Sequence, residues 1–138
     1  MAKEIILHGH KVAKGKAEGE AIVSQVPIEF RGRVNPVTGK ITDLGSPLDG
    51  ASLTDKIMVY PYGKGSTQSA WVLYDMLCRK TNPIGIVNVS AAPIDASGAI
   101  FIGIPMIDKL DGNPVELIKT GDWVEIDADK GTVKIKKA

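Results

Sequence analysis

The sequence predicts a mixed α/β domain, rich in β-structure, with one clear βαβ unit and a C-terminal hairpin. Aromatic residues make up only 5% of the 138 residues, while there are 15 glycines and 8 prolines, a composition suited to short strands and many turns rather than a helical bundle. "KIMVYP" (56–61), "TQSAWVLYDMLCRK" (67–80) and "GIVNV" (85–89) read as strand, helix and strand, so a parallel pair joined by a right-handed crossover is expected. "DWVEIDADKGTVKIKK" (122–137) alternates apolar and polar residues on both sides of "ADKG", a hairpin signature.

In chain order, "EIILHGHKV" (4–12) and "GEAIVSQ" (19–25) are short β-rich runs, expected to form neighbouring strands in a hairpin. From Pro27 to Lys56 the pattern loosens around "NPVTGK" and "GSPLDG", which predicts a long excursion with a short strand near Lys40–Asp43. Excursions of this length in compact domains are often functional. In the 67–80 helix, Ala70, Leu73, Tyr74 and Leu77 fall at helical spacing and are the expected buried stripe. Residues 92–107 read as a small-residue helix broken near Gly103 and Pro105, followed by a brief strand. The length is that of one domain, residues 1–138, able to bury roughly two-thirds of its unfolded surface.

Composition also narrows the function classes. Lys plus Arg total 17 against 16 Asp plus Glu, a net charge of +1, which supplies no field for nucleic acid or an anionic membrane. The start "MAKEIILHGH" lacks a signal peptide's apolar core and no run reaches spanning length, so a cytoplasmic protein is expected. Cys78 is the only cysteine. An internal disulfide is therefore excluded, as is a metal or iron–sulfur site built from several thiolates of this chain alone.

The most chemically suggestive stretch is "YGKGSTQSAW" (62–71). Gly63 and Gly65 remove side chains where the chain leaves the strand, so the backbone can take positive φ and bring its N–H groups close to a ligand. Ser66 or Thr67 then stands at the helix N-cap, where unpaired N–H donors and the dipole favour a carboxylate or phosphate. The C-terminal end of a parallel strand is the usual ligand position in open α/β sheets. The spacing is neither a P-loop nor a G-x-S-x-G elbow. Two readings stay open: Ser66 is a plain helix cap, or it is a proton carrier whose alkoxide is made accessible by Lys64, the helix terminus and further charge from elsewhere.

"GKAEGEAIVSQVPIEFRGRVNPVTGKI", "IMVYPYGKGST" and "LIKTGDWVEIDADKGTV" together resemble the small subunit, or swivel domain, of the aconitase-X family of dehydratases, from about Lys14 to the C-terminus. The resemblance implies a swivelling β/β/α fold that closes over a large catalytic subunit. It also implies iron or an iron–sulfur cluster on that partner, with none bound by this chain, and Ser66 as the proton-abstracting group. The implied substrates are small carboxylates that lose water: 5-phosphomevalonate in the archaeal mevalonate route, or cis-3-hydroxy-L-proline. Where the family reads F-x-G-G-V-D-P-x-T-G, this chain has "FRGRVNPVTG", which places Arg31 and Arg33 in the loop. "STQSAW" stands in place of S-T-V-G-S-Y.

Arg31 and Arg33 could clamp a carboxylate or phosphate; with Gly63, Lys64, Gly65 and Thr67 they complete the expected substrate-binding set, although a solvated loop or a subunit contact would also explain them. His8 and His10 have no third ligand nearby in the sequence, so they are expected to be surface or partner-contact residues. Cys78 is expected to pack in the core. Asp122, Asp127 and Asp129 suit turn and edge roles, and Trp71 and Tyr74 should pack the helix or meet a partner. A phosphohistidine carrier would need a histidine in the glycine-rich turn, where this chain has Ser66-Thr67-Gln68. A non-catalytic assembly module, with Ser66 as a plain cap, is the competing class.

Overall fold

A computed structural model describes residues 3–43, 45–64 and 68–138. In chain order the strands are β1 (Glu4–His8), β2 (His10–Ala13), β3 (Lys16–Val23), β4 (Val34–Asn35), β5 (Lys40–Ile41), β6 (Ile57–Tyr60), β7 (Gly85–Asn88), β8 (Met106–Asp108), β9 (Trp123–Asp127) and β10 (Thr132–Lys136). The helical elements are α1 (Phe30–Arg33), α2 (Gln68–Arg79), α3 (Pro93–Ile102) and α4 (Pro114–Leu117). Arg31 and Gly32 have non-helical dihedrals, so α1 is a kinked turn rather than a helix.

The main sheet runs β1-β10-β9-β3-β6-β7-β8-β2. Its β1-β10-β9-β3 part is antiparallel, β3-β6-β7-β8 is parallel, and β2 returns antiparallel to β8. β3 belongs to both parts: its Lys16–Glu20 half pairs with β9 and its Ala21–Val23 half with β6.

β1 and β2 lie at opposite ends of this order yet are separated by Gly9 alone. The sheet must therefore curl until its ends meet. Gly9 suits the junction because an added Cβ would stand 2.6 Å from the Asp108 carbonyl oxygen, too close for any side chain. The expected 4–12/19–25 hairpin does not form; β1 instead pairs with β10 and β2 with β8. Alternation identified the strands, but long-range partners decided the pairing.

The predicted βαβ unit is β6-α2-β7, and β7-α3-β8 is a second parallel crossover. The C-terminal hairpin is β9-β10, and the short strand expected near residue 40 is β5, paired with β4. α3 ends at Gly103 in the left-handed region (φ 79), where the sequence indicated a break.

"IMVY" is buried on both faces, which explains its unbroken apolar run. Ile57 and Val59 join Val87, Ile107, Val124, Ile126, Val133 and Ile135 in one core. Met58 and Tyr60 face a second core with Leu73 and Met76 of α2, Ala99 and Ile102 of α3, and Phe30, Val34, Ile41 and Leu53 from the 27–56 excursion. The excursion is thus a packed cover that brings residues 27–33 beside the end of β6.

α2 buries Ser69, Leu73 and Met76 rather than the expected Ala70/Leu73/Tyr74/Leu77 stripe; of those four only Leu73 is fully buried. The buried face is rotated because a polar residue, Ser69, belongs to it, and a search for apolar periodicity passes over that residue. Cys78 is consequently exposed instead of packed in the core. Tyr74 lies against Phe101 of α3, ring centroids 5.2 Å apart, and Trp71 stands 67% exposed. No helix among the described residues is long and apolar enough to cross a membrane.

Candidate active site

Strand β6 delivers the chain to the candidate turn at its C-terminal end, and α2 begins directly beyond it. Gly65, Ser66 and Thr67 lie outside the described residues; both flanks of the turn are described. On the incoming side, Ile28 N donates to the Tyr62 carbonyl (3.2 Å) and Lys64 N to the Ile28 carbonyl (2.8 Å). Gly63 and Ile28 form a parallel bridge, so the start of the turn is sewn to the 27–56 excursion.

Gly63 is not among the glycines with positive φ. Its need for a missing side chain comes from Asp95: an added Cβ would stand 2.5 Å from Asp95 Cγ and 2.6 Å from Oδ1. The backbone here lies close to a carboxylate of the chain itself, an approach that only a residue without a side chain allows.

Asp95 sits in the first turn of α3 and is 1% exposed. Tyr60 Oη donates to its Oδ2 at 2.5 Å, and the Ser69 side chain is a further hydrogen-bond partner. Tyr60 is itself fully buried and meets the Phe30 ring edge-on at 6.1 Å. Asn88, paired in register with Tyr60 on β7, donates from Nδ2 to the Tyr60 carbonyl at 2.9 Å. Among the described residues Asn88 Oδ1 is buried with no partner.

The electrostatics follow from burial. Burial pushes the Asp95 carboxyl above the usual carboxylate range, although the hydrogen bonds from Tyr60 and Ser69 pull the other way. Burial first and the neighbouring Asp95 second push the Tyr60 phenol well above its ordinary value.

The flank also opens into a cavity of about 210 Å³ in which Lys64 and Arg33 meet Ser24, Ile28, Glu29 and Asp43. Arg33 Nη1 bonds Asp43 Oδ1 at 2.9 Å, so its guanidinium is already engaged. Arg31 is exposed and does not line the cavity. Of the cations expected to bind substrate, Lys64 and Arg33 are therefore brought together and Arg31 is not. A larger hollow of about 550 Å³ lies across β3, β9 and β10. Its rim of lysines and acids is partly self-paired, as in Lys16–Asp127, and it is remote from the turn.

His10 Nδ1 lies 2.9 Å from Asp108 Oδ1, and Asp108 Oδ2 accepts from Ala91 N. Asp122 is 2% exposed and accepts from Lys119 N, Ala138 N and Lys137 Nζ. Asp127 Oδ1 accepts from Lys130 N in the hairpin turn, as its turn role predicted. Among the described residues no three or more His, Cys, Asp or Glu side chains gather as metal ligands.

Sequence reasoning missed Tyr60, Asn88, Ser69 and Asp95. A signal was present: Tyr60 and Asn88 are the polar residues ending two otherwise aliphatic strands, and Asp95 is the only charge in "PIDASGAIFI".

The family model described as aconitase X swivel domain matches residues 6–135. A curated relative named phosphomevalonate dehydratase small subunit, from Thermococcus kodakarensis, is 46% identical over 129 residues, covering 94% of this chain and 95% of that protein. One of the same name from Methanocella arvoryzae is 40% identical, covering 94% and 98%. The crystal structure of Thermococcus kodakaraensis aconitase X in its holo-form superposes with a TM-score of 0.89 at 45% identity, covering 95% of this chain and 98% of that one. With its fold and nearly its whole length shared with these proteins, the chain belongs to the aconitase X swivel-domain family.

Proposed function

We propose that this chain is the small subunit of a phosphomevalonate dehydratase, a hydro-lyase that removes water from 5-phosphomevalonate with Ser66 as proton acceptor. The observation that carries the reading is near full-length identity of 40% and 46% to two proteins bearing that name. The site supports it: the turn leaves a parallel strand at its C-terminal end and enters a helix N-terminus, where an anionic substrate is favoured.

In this reading the 138 residues act as one swivel unit that closes over a larger catalytic subunit. The N–H groups of residues 65–67 and Lys64 hold the substrate's carboxylate or phosphate, with Arg33 lining the same cavity as Lys64 and Arg31 outside it. Ser66, as alkoxide, takes the proton from the carbon next to the carboxylate. That C–H electron pair forms the new double bond as the hydroxyl on the neighbouring carbon leaves. The resulting charge is hard to carry, so the cationic surroundings matter as much as the base.

An iron or iron–sulfur centre finds no donor set among the described residues of this chain; in this reading it belongs wholly to the larger subunit. The subunit alone is accordingly inactive.

The test is to purify the chain with its larger partner and assay water loss from 5-phosphomevalonate and from cis-3-hydroxy-L-proline. Turnover of the first and a fall of roughly 10²–10⁴-fold in Ser66→Ala, with assembly retained, are expected. Turnover of the proline derivative alone would transfer the chain to the other substrate class. Normal activity in Ser66→Ala would make it a non-catalytic assembly module.

A further inference from the structure

We propose that Asp95 is a positioning residue of the dehydratase site, a buried clamp that holds both flanks of the Ser66 turn in one arrangement. This rests on the reading of Ser66 as the base. One carboxylate serves both sides: Gly63, before the turn, lies against it, and Ser69, after the turn, bonds to it. Tyr60 anchors the same carboxylate to the end of β6 at 2.5 Å. Gly63 and Ser69 are six positions apart in sequence, so one carboxylate meets the described chain on both sides of residues 65–67.

The arrangement is costly for a fold that had no further use for it. A carboxylate 1% exposed, with no cationic partner among the described ion pairs, is an expensive group to bury. Packing α3 against β6 needs only apolar contacts, which Ala99 and Ile102 already supply. Among the described residues Asn88 Oδ1, at the same strand ends, has no partner, and a buried polar group left unsatisfied calls for an explanation beyond packing. Asp95 acts through the backbone at Gly63 and the hydroxyl of Ser69; it does not itself touch substrate. Its effect should therefore fall on the rate of the chemical step, where a displacement of about 1 Å costs roughly 10²-fold.

Two measurements test this. In hydrogen exchange on the full chain, Asp95→Asn is expected to speed exchange of the amides from 63 to 69 at least about tenfold while β9 and β10 keep their protection. With the larger subunit and 5-phosphomevalonate, kcat should fall roughly 10- to 100-fold with KM within about threefold, and Asp95→Asn should keep more activity than Asp95→Ala. Tyr60→Phe, which keeps the ring and removes one donor, should show the same pattern more weakly and stands in if the Asp95 variants do not fold. Asp122→Asn, which loosens the β9 end of the molecule, is the control: its kcat should match wild type at comparable loss of stability. Unchanged exchange at 63–69 overturns the proposal, as does a kcat loss no larger than that of Asp122→Asn. If the wild-type pair is inert on 5-phosphomevalonate, the functional reading fails, and the exchange arm alone still decides for or against the clamp.

Discussion

Gly63 and Asp95 are in direct van der Waals contact, backbone against buried carboxylate, and this contact requires a residue without a side chain at position 63. Gly63→Ala would drive a methyl group into a carboxylate already held by Tyr60 and Ser69. The expected result is a loss of about 1–3 kcal/mol, the usual cost of overpacking a well-ordered site, read as a lower urea midpoint with unchanged m-value. Activity with the larger subunit should fall further than that loss explains, because the displaced element leads directly into the turn.

Asp95 also sets a pH dependence of stability. Its carboxyl is held above the usual carboxylate range, chiefly by burial, so between the unfolded value of about 4 and the raised folded value the native state binds more protons than the unfolded state. Stability contributed at this site therefore declines as pH rises through that window. Asp95→Asn removes the titration, so its disadvantage relative to wild type should shrink from pH 4 toward neutrality. Thermal unfolding of both proteins across that range checks the slope; a gap that widened with pH would contradict it.

Asp122 should behave in the opposite way. Burial works to raise its carboxyl, but hydrogen bonds from Lys137, Ala138 N and Lys119 N outweigh it and hold the group below the ordinary range. Its stabilisation is present above the unfolded value and is lost as pH falls through the folded one. Asp122→Asn is expected to cost about 1–3 kcal/mol at neutral pH and progressively less below about pH 4. The same unfolding series reads both aspartates.

Much of the fold was legible because local periodicity and tertiary role agree. Strand β6 is apolar on both faces and buried on both; the β9-β10 hairpin alternates and is packed on one side. What failed was non-local. The partner of β1 is β10, more than a hundred residues away, and nothing within residues 4–25 distinguishes that pairing from a local hairpin. At the site, the glycine-serine turn was visible because cap chemistry is local. Asp95 was not, because its significance depends on a carboxylate from α3 reaching Gly63, Ser69 and Tyr60 at once. The error on α2 has a similar origin: Ser69, a polar residue, lies on the buried face with Leu73 and Met76, while Tyr74, Leu77 and Cys78 face outward.

The outward face of α2 and α3 gives a final prediction. Trp71, Tyr74, Leu77, Ile100 and Phe101 are exposed apolar residues on adjacent helices, a cluster of the kind that marks an interaction surface. Trp71 lies only five positions beyond Ser66, so a larger subunit that covers the serine must approach this face too. In the proposed assembly it is the larger subunit that buries the cluster. Phe101→Ser and Trp71→Ser should each weaken association at least about tenfold, a cost of about 1.4 kcal/mol or more, as expected of aromatic anchors, while leaving the unfolding midpoint of the chain alone nearly unchanged. Cys78, exposed and beside Tyr74, supplies an independent readout. Its alkylation should be rapid in the free chain and slow severalfold once the partner is bound. Unaltered affinity in both variants, together with undiminished alkylation in the complex, would exclude this face from the interface. Concentration-dependent dimerisation of the free chain that Phe101→Ser abolishes would assign it to a second copy instead.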